Sequence, residues 1–363
     1  MVPIIDFRFE QDCVEEMHKA YTTCGFAIFT HAYDNWLSEF ADWKQLMEEF
    51  FQLGKIIKRK YAYSGVKENI GYNWLEEERL TPTKPGDLKE SYNWVSPDRM
   101  QEEYWPNEIP EFKPLAQKIE RISRMLSYQF LYRFEKVLRI PTGSLVEQHI
   151  DGSATMRMIH YPPYDGEIKE DQLRGNEHTD YGSITLLWRF DDVEALQLYD
   201  KNDDAWITVP SVENSIVLNV ADMFQRWTND LLKSTPHRVI NVDMDRPRYS
   251  MPYFVDPEPK QIESSRMAGA EVVELHTGTY AEALSQKQIK YELNRIRECA
   301  AHGTKIGLKV HAGHGLHYEN TAQIAAISEI LELNIGHAIV AKSLDLGIAK
   351  AVADMKKIML GAR

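Results

Sequence analysis

With 363 residues, the chain is long enough for two domains or one large one. Its composition, 43% hydrophobic and 27% charged with no apolar run of bilayer-spanning length, is that of a soluble globular protein rather than a membrane protein. A net charge of −13 argues against nucleic acid or an anionic membrane as partner. Cys13, Cys24 and Cys299, spread widely and without a CxxC, fit reduced thiols in a cytoplasmic setting. The opening MVPIIDFRFEQD has no basic n-region and carries Asp6 inside its apolar stretch, so no signal peptide is expected there.

In chain order, PIIDF (3–7) and GFAIF (25–29) read as short strands around the helical EEMHKAYTT, and a second helix follows through FADWKQLMEEFFQL. The segment 70–94, with TPTKPGDLKE at its centre, reads as a loop with little regular structure. From Pro114 the recurrence of Leu115, Ile119, Ile122, Leu126, Phe130 and Phe134 predicts a long helix whose stripe is core packing. Between about 153 and 255 seven short β-rich runs follow one another: ATMRMIHY, SITLLWRF, ALQLYD, AWITVP, SIVLNV, HRVINV and RYSMPYFV. Such spacing predicts a sandwich or barrel. After Asp256 the texture alternates strand and helix, EVVELHTG, a helix to about Gly307, GLKVHAG, ILELNIGH and a final helix through IAKAVADMKKIML, as in a parallel sheet or barrel.

Composition divides the chain at the same place. From Asp256 onward 13 basic residues balance 13 acidic ones, so the whole −13 falls on the first 255 residues, which also hold all eight tryptophans. Two pieces are expected, 1–255 and 256–363, joined near the Pro-rich DPEP at 256–259.

The chemistry centres on NEHTDYGSITLLW (176–188). Residues two apart in a strand point to one face, so His178 and Asp180 are expected to aim together. A third ligand, His237, begins another β-rich run 57 positions beyond Asp180. Two histidines and one carboxylate on one face of an iron leave positions open, the arrangement of non-haem Fe(II) oxygenases. Arg248 and Ser250 form a further i, i+2 pair, able to grip a carboxylate through a bidentate guanidinium and a hydroxyl, and Tyr161 in IHYPPY can add a hydrogen bond. Each piece alone is weak; the ordered set across a β-rich region is a strong signal.

That set resembles the isopenicillin N synthase-like family of Fe(II)/2-oxoglutarate-dependent oxygenases over roughly residues 1–255, through VPIIDF, CGFAIFTH, GYNWLEEERLTPTKPGDLKESYNW, RMIHYPP, HTD and RYS. The resemblance implies a double-stranded β-helix (jelly-roll) core at about 153–255 with flanking helices. It implies iron bound by His178, Asp180 and His237, and the C5 carboxylate of 2-oxoglutarate held by Arg248, Ser250 and Tyr161. O2 and the keto acid would then drive oxidation of a small organic substrate, with release of succinate and CO2. Ile159 stands where many relatives carry an Asn that touches the co-substrate, a loss of one contact. Leu186, Trp188, Phe224 and the 72–94 loop are candidates to wall the substrate pocket.

The tail carries His311, His314 and His317 in HAGHGLH, where Gly313 and Gly315 favour a loop that suits phosphate more than metal. Residues 254–363 resemble the C-terminal part of pyridoxine 5′-phosphate synthase, a TIM-barrel enzyme, through FVDPEPKQI, VVELHTGTYAEA, GLKVHAGHGL and ELNIGHAIV. By that likeness Glu274 and His314 match active-site positions, while Gly315, Gly336 and His337 match the phosphate-binding region. Nothing in residues 1–253 resembles the rest of that barrel, so a partial α/β barrel is expected, with open sheet edges through which oligomerisation is an option. FVDPEP fits the end of the oxygenase strand and a strand of the synthase barrel alike; the Arg248/Ser250 pair assigns it to the jelly-roll. Two other functions stay open: vitamin B6 synthesis through the tail, and a catalytically silent oxygenase-fold binding module.

Overall fold

Period-two alternation on the central strands sets the architecture of the first part of the chain. The computed structural model describes residues 2–363 apart from 66–68, 80–83, 97–99, 151–153, 202, 257–264, 267–268 and 284–285. The chain divides into two units, Met1–Glu258 and Pro259–Arg363. Most of the DPEP join therefore lies outside the described residues.

In the first unit β1 (Ile4–Asp6), β2 (Phe26–Thr30), β3 (Gly71–Asn73), β4 (Glu90–Val95), β5 (Ala154–Tyr161), β7 (Ile184–Arg189), β10 (Ser215–Val220) and β12 (Arg248–Val255) form one sheet, in the order β1-β2-β10-β7-β12-β5-β4-β3. A second sheet runs β6-β11-β8-β9, from β6 (Gly175–His178), β8 (Leu196–Asp200), β9 (Ala205–Thr208) and β11 (His237–Val239). All seven β-rich runs are strands. On β5, β7 and β12 the residues Met156, Met158, Ile184, Leu186, Trp188, Met251 and Tyr253 enter a core shared with the helices Leu37–Gln52 and Phe112–Leu138. The alternate residues of the same strands face the second sheet and leave a cavity there. The large sheet is thus buried on both faces: one packs on the helices, and the other joins a smaller apolar cluster around Phe26, Ile28, Leu198 and Val217 to the cavity.

Two expectations need correction. The segment 70–94 is not a loop throughout. β3 and β4 pair antiparallel, Tyr72 opposite Tyr92, and β4 extends the sheet beside β5. Polar residues disguised β4, because Glu90 and Asn93 are buried but satisfied. Glu90 accepts from Lys58 at 2.9 Å, pairs with His160 at 2.7 Å and meets the Tyr72 hydroxyl. Asn93 bonds Asn69 and Arg157. Leu186, Trp188 and Phe224 do not wall a substrate pocket either; all three sit in the helix-side core, and alternation hands the cavity to Thr185, Leu187 and Arg189.

The second unit holds a parallel sheet of β13 (Val272–His276), β14 (Lys309–Gly313) and β15 (Ile330–Asn334). The helix Gln286–Lys305 links the first two strands, and the short helix Thr321–Ala325 lies between β14 and β15. Beyond β15 two helices follow rather than one, His337–Leu346 and Ile348–Gly361, divided at Gly347 with φ +76°. Of FVDPEP, Phe254 and Val255 end β12, which lies between β5 and β7, while 257–259 lie outside the described residues. No described helix is long and apolar enough to cross a membrane.

Candidate metal and co-substrate site

His178 ends β6 and His237 begins β11, and the two are direct cross-strand partners. Their rings lie 4.3 Å apart, centroid to centroid. Asp180 does not share the strand face of His178, because the strand has already ended there. The carboxylate reaches the same point from the following turn, held by its own hydrogen bonds. Asp180 Oδ2 accepts from Thr185 Oγ1 at 2.6 Å and from Asn219 Nδ2 at 2.8 Å. Its Oδ1 is left 3.8 Å from His178 Nε2 and 3.9 Å from His237 Nε2.

Each imidazole is oriented from behind. His178 Nδ1 lies 2.8 Å from Asn176 O, and His237 Nδ1 3.1 Å from Thr235 O. A proton on Nδ1 donated to those carbonyls leaves both Nε2 lone pairs facing Asp180. Burial, then the neighbouring His237, push the His178 imidazolium down to about 4, so the ring is neutral near pH 7. Burial raises the Asp180 carboxyl, but His237, His178 and the two hydrogen bonds outweigh it and hold it below its usual range. Three ligand atoms within 4.8 Å of one another, two imidazole nitrogens and one carboxylate oxygen, suit a divalent transition metal.

The cavity beyond the triad is lined by one face of three strands: Arg157, Ile159 and Tyr161 on β5; Thr185, Leu187 and Arg189 on β7; Arg248, Ser250, Pro252 and Phe254 on β12. Arg248 pairs with Tyr161 across the ladder, and Ser250 with Ile159. Arg248 is buried and its Nε meets Asp191 Oδ1 at 3.2 Å, while its Nη1 is buried with no hydrogen-bond partner. Its guanidinium carbon lies 5.0 Å from the Tyr161 ring centroid. Among the described residues the Tyr161 and Ser250 hydroxyls make no hydrogen bond within the protein. An orphaned guanidinium nitrogen beside two free hydroxyls fits a carboxylate.

Sequence reasoning missed the rest of this cationic end. Arg189, on the cavity face of β7, spends its guanidinium on the carbonyls of Val209 and Pro210. Burial, then the charge of Arg248, lower it to about 10. Arg174 is also lowered, by burial and by Arg248, and keeps a buried Nη1 without a partner. Among the described residues neither meets a carboxylate in an ion pair. Arg157 is legible as the i−2 neighbour of Ile159 on the strand that carries Tyr161; Arg189, Arg174 and Lys89 carry no such mark.

In the second unit, Glu274, His314, Gly315, Gly336 and His337 line one open cavity of about 800 Å³. Glu274 Oε1 lies 3.4 Å from His314 Nδ1, and Asn334 donates to Glu274 Oε2 at 2.6 Å. His314 stacks on His276 at 4.5 Å, and both His314 and Gly315 have positive φ. A Cβ on Gly315 would come 2.7 Å from that of Ala281, so the loop needs glycine there.

Comparison with known proteins matches this division. Residues 152–257 fit the 2OG-Fe(II) oxygenase superfamily, and residues 2–112 the N-terminal region described as non-haem dioxygenase in morphine synthesis. Residues 238–361 fit the pyridoxal phosphate biosynthesis protein PdxJ. Pyridoxine 5′-phosphate synthase of Legionella pneumophila is 51% identical over 110 residues, 30% of this chain and 44% of that protein. The chain thus spans less than half the length of that relative.

Among solved structures, a full-length Neurospora crassa protein in complex with alpha-KG and thymine superposes with a TM-score of 0.62 at 26% identity. The match covers 71% of this chain and 86% of that one. A 2OG-Fe(II) oxygenase family protein of Caulobacter crescentus gives 0.62 at 26%, over 70% and 86%. The Arabidopsis thaliana dioxygenase for auxin oxidation, 18% identical with a TM-score of 0.61 over 72% and 97%, shares the fold. The first unit is a 2OG-Fe(II) oxygenase of jelly-roll type, an oxidoreductase that uses Fe(II), 2-oxoglutarate and O2.

Proposed function

We propose that this oxygenase holds Fe(II) on His178, Asp180 and His237 and the distal carboxylate of 2-oxoglutarate on Arg248, Ser250 and Tyr161. With these it oxidises a C–H bond of a small organic substrate. The observation that carries the reading is the convergence of two imidazole nitrogens and a carboxylate oxygen beside a buried guanidinium nitrogen that has no partner. The bound iron and keto acid supply the oxidising power: one atom of O2 enters succinate, the other the substrate, and CO2 leaves.

The protein's own part is positional. Thr185 and Asn219 fix one oxygen of Asp180 so that the other faces the imidazoles. Carbonyls of Asn176 and Thr235 set both histidine tautomers. Arg248 orients the keto acid by its far end, and the apolar Leu187, Val239 and Phe26 keep water from its chain. A second cavity of about 440 Å³ reaches His178 and Asp180 from the side of Arg157, Phe254 and Asp256, and offers the substrate its place. That thymine is bound by the Neurospora crassa neighbour supports a substrate of similar size.

The domains in this reading are 1–255, the oxygenase, and 256–363, a partial TIM-barrel segment of pyridoxine 5′-phosphate synthase type. A second function, vitamin B6 synthesis through that segment, has the Glu274–His314 pair in its favour. A retained or fused piece without synthase activity of its own accounts better for a unit with three described strands. Leu331, Val340, Leu344 and Leu360, each more than half exposed, support oligomerisation through it.

Anaerobic titration with Fe(II), with and without 2-oxoglutarate, tests the main reading. One equivalent of iron and a weak visible charge-transfer band on adding the keto acid are expected. Iron binding without that band leaves the silent binding module; no iron binding removes the reading altogether.

A further inference from the structure

Asp256 follows the last residue of β12 and lines the cavity that reaches His178 and Asp180. Among the described residues its carboxyl has neither a hydrogen bond nor an ion pair. Burial, then the charge of Asp180, raise it to about 6. A half-buried carboxyl on a cavity wall with no protein partner has its hydrogen-bonding capacity free for a bound molecule. The backbone also makes room for it. A Cβ on Gly182 would lie 2.2 Å from Asp256 Oδ1, and Ser183 N donates to Val255 O at 2.9 Å, seating this carboxyl against the turn that carries Asp180.

The cations of the same cavity are already matched. Lys89 Nζ meets Asp87 at 2.6 Å and Glu78 at 3.2 Å; Arg157 Nη1 meets Glu78 at 2.9 Å. Burial raises the Glu78 carboxyl, yet Lys89 and Arg157 hold it down to about 2, as expected of a carboxylate shared by two cations. Among the described residues the half-buried Asp256 and the exposed Glu177 are the carboxylates of this cavity that meet no partner, so the spare charge is negative, and Asp256 is the one set inward from the rim.

We infer that Asp256 determines substrate class. The cavity takes a small nitrogen compound that presents an N–H donor, neutral or cationic, to this carboxylate, and it disfavours carboxylic acids. The inference rests on the proposed iron and 2-oxoglutarate reading only for the orientation of the substrate toward the metal.

Three probes of one size separate the terms: benzamidine, a cation with N–H donors; benzamide, neutral with N–H donors; and benzoate, an anion with none. Each is titrated anaerobically into the Fe(II)–2-oxoglutarate protein, reading the shift of the charge-transfer band, and into the metal-free protein by ligand-observed NMR. Benzamidine and benzamide are expected to bind at least about tenfold tighter than benzoate. Asp256→Asn should bring benzamidine and benzoate within about threefold of each other, since an amide removes the charge that attracts one and repels the other. Glu177→Gln, which removes a negative charge from the exposed rim of the same cavity, should keep the ranking. Benzoate binding as tightly as benzamidine, none of the three binding, or a ranking unmoved in Asp256→Asn overturns the inference. A missing band with the ranking intact by NMR overturns the iron reading alone.

Discussion

Asn219, on β10, donates its side-chain amide to Asp180 Oδ2 at 2.8 Å and so decides which carboxylate oxygen faces the two imidazoles. Thr185 donates to the same oxygen from β7. The pair acts as a rotational lock on the carboxylate of the proposed ligand Asp180, which lies past the end of β6. Metal ligands are tuned by such partners as much as by their own identity.

Asn219→Ala should therefore lower Fe(II) affinity about 10- to 100-fold while the circular dichroism spectrum stays unchanged. His237→Ala should abolish stoichiometric binding. A metal titration compares them; equal affinity in Asn219→Ala and the parent would mean that Thr185 alone holds Asp180, and iron retained by His237→Ala would remove it as a ligand.

Arg248→Lys keeps the charge but loses the planar fork and the bond to Asp191. A charge-assisted hydrogen bond is worth about 1.5–3 kcal/mol. The 2-oxoglutarate concentration giving half-maximal turnover should rise about tenfold or more, and iron affinity in the absence of keto acid should not change. An unaltered keto-acid requirement would place the carboxylate elsewhere.

The parts of this site that sequence could reach are those governed by period two. Arg248 with Ser250, and Arg157 with Tyr161, share faces because each pair lies within one strand. Asp180 was reached for a wrong local reason, since it lies past the end of β6 and depends on Thr185 and Asn219, 5 and 39 residues away. Lys89 and the strand bearing Glu90 were hidden because buried ion pairs look, in sequence, like a solvated loop. Asp256 was read only as part of a linker; its meaning comes from a close approach to Gly182 that no local pattern records.

His149 gives the metal-free protein a defined acid sensitivity. Its Nδ1 lies 2.6 Å from Leu145 O and its Nε2 2.8 Å from Ser183 Oγ, and burial pushes it down to about 4. The folded pKa lies below the unfolded value of about 6.5, so the unfolded state binds the extra proton. This contribution is fully present above about pH 6.5 and is lost as pH falls toward 4, by about 3 kcal/mol. His178, half-buried and lowered by desolvation and by His237, adds to the slope. Urea unfolding of parent and His149→Gln at pH 7.5 and 4.5 measures it. The variant should be less stable at pH 7.5 but show the shallower pH dependence; parallel slopes would show that His149 titrates normally.

The second unit should make no pyridoxine phosphate by itself. Barrel enzymes of that kind gather acid–base groups from the ends of several strands. Here Glu274 on β13 and His314 just after β14 form one pair, and the described sheet offers only β15 beyond them. The loop around Gly315 depends on local geometry, positive φ at two successive residues and close packing on Ala281, more than on barrel closure. Weak binding of a phosphate ester by the full-length protein is therefore compatible with absence of turnover. Supplied with the amino-ketone and deoxyxylulose phosphate substrates, the protein should give product no faster than its His314→Ala variant. Product formation clearly above that variant would promote vitamin B6 synthesis from a second reading to an activity of this chain.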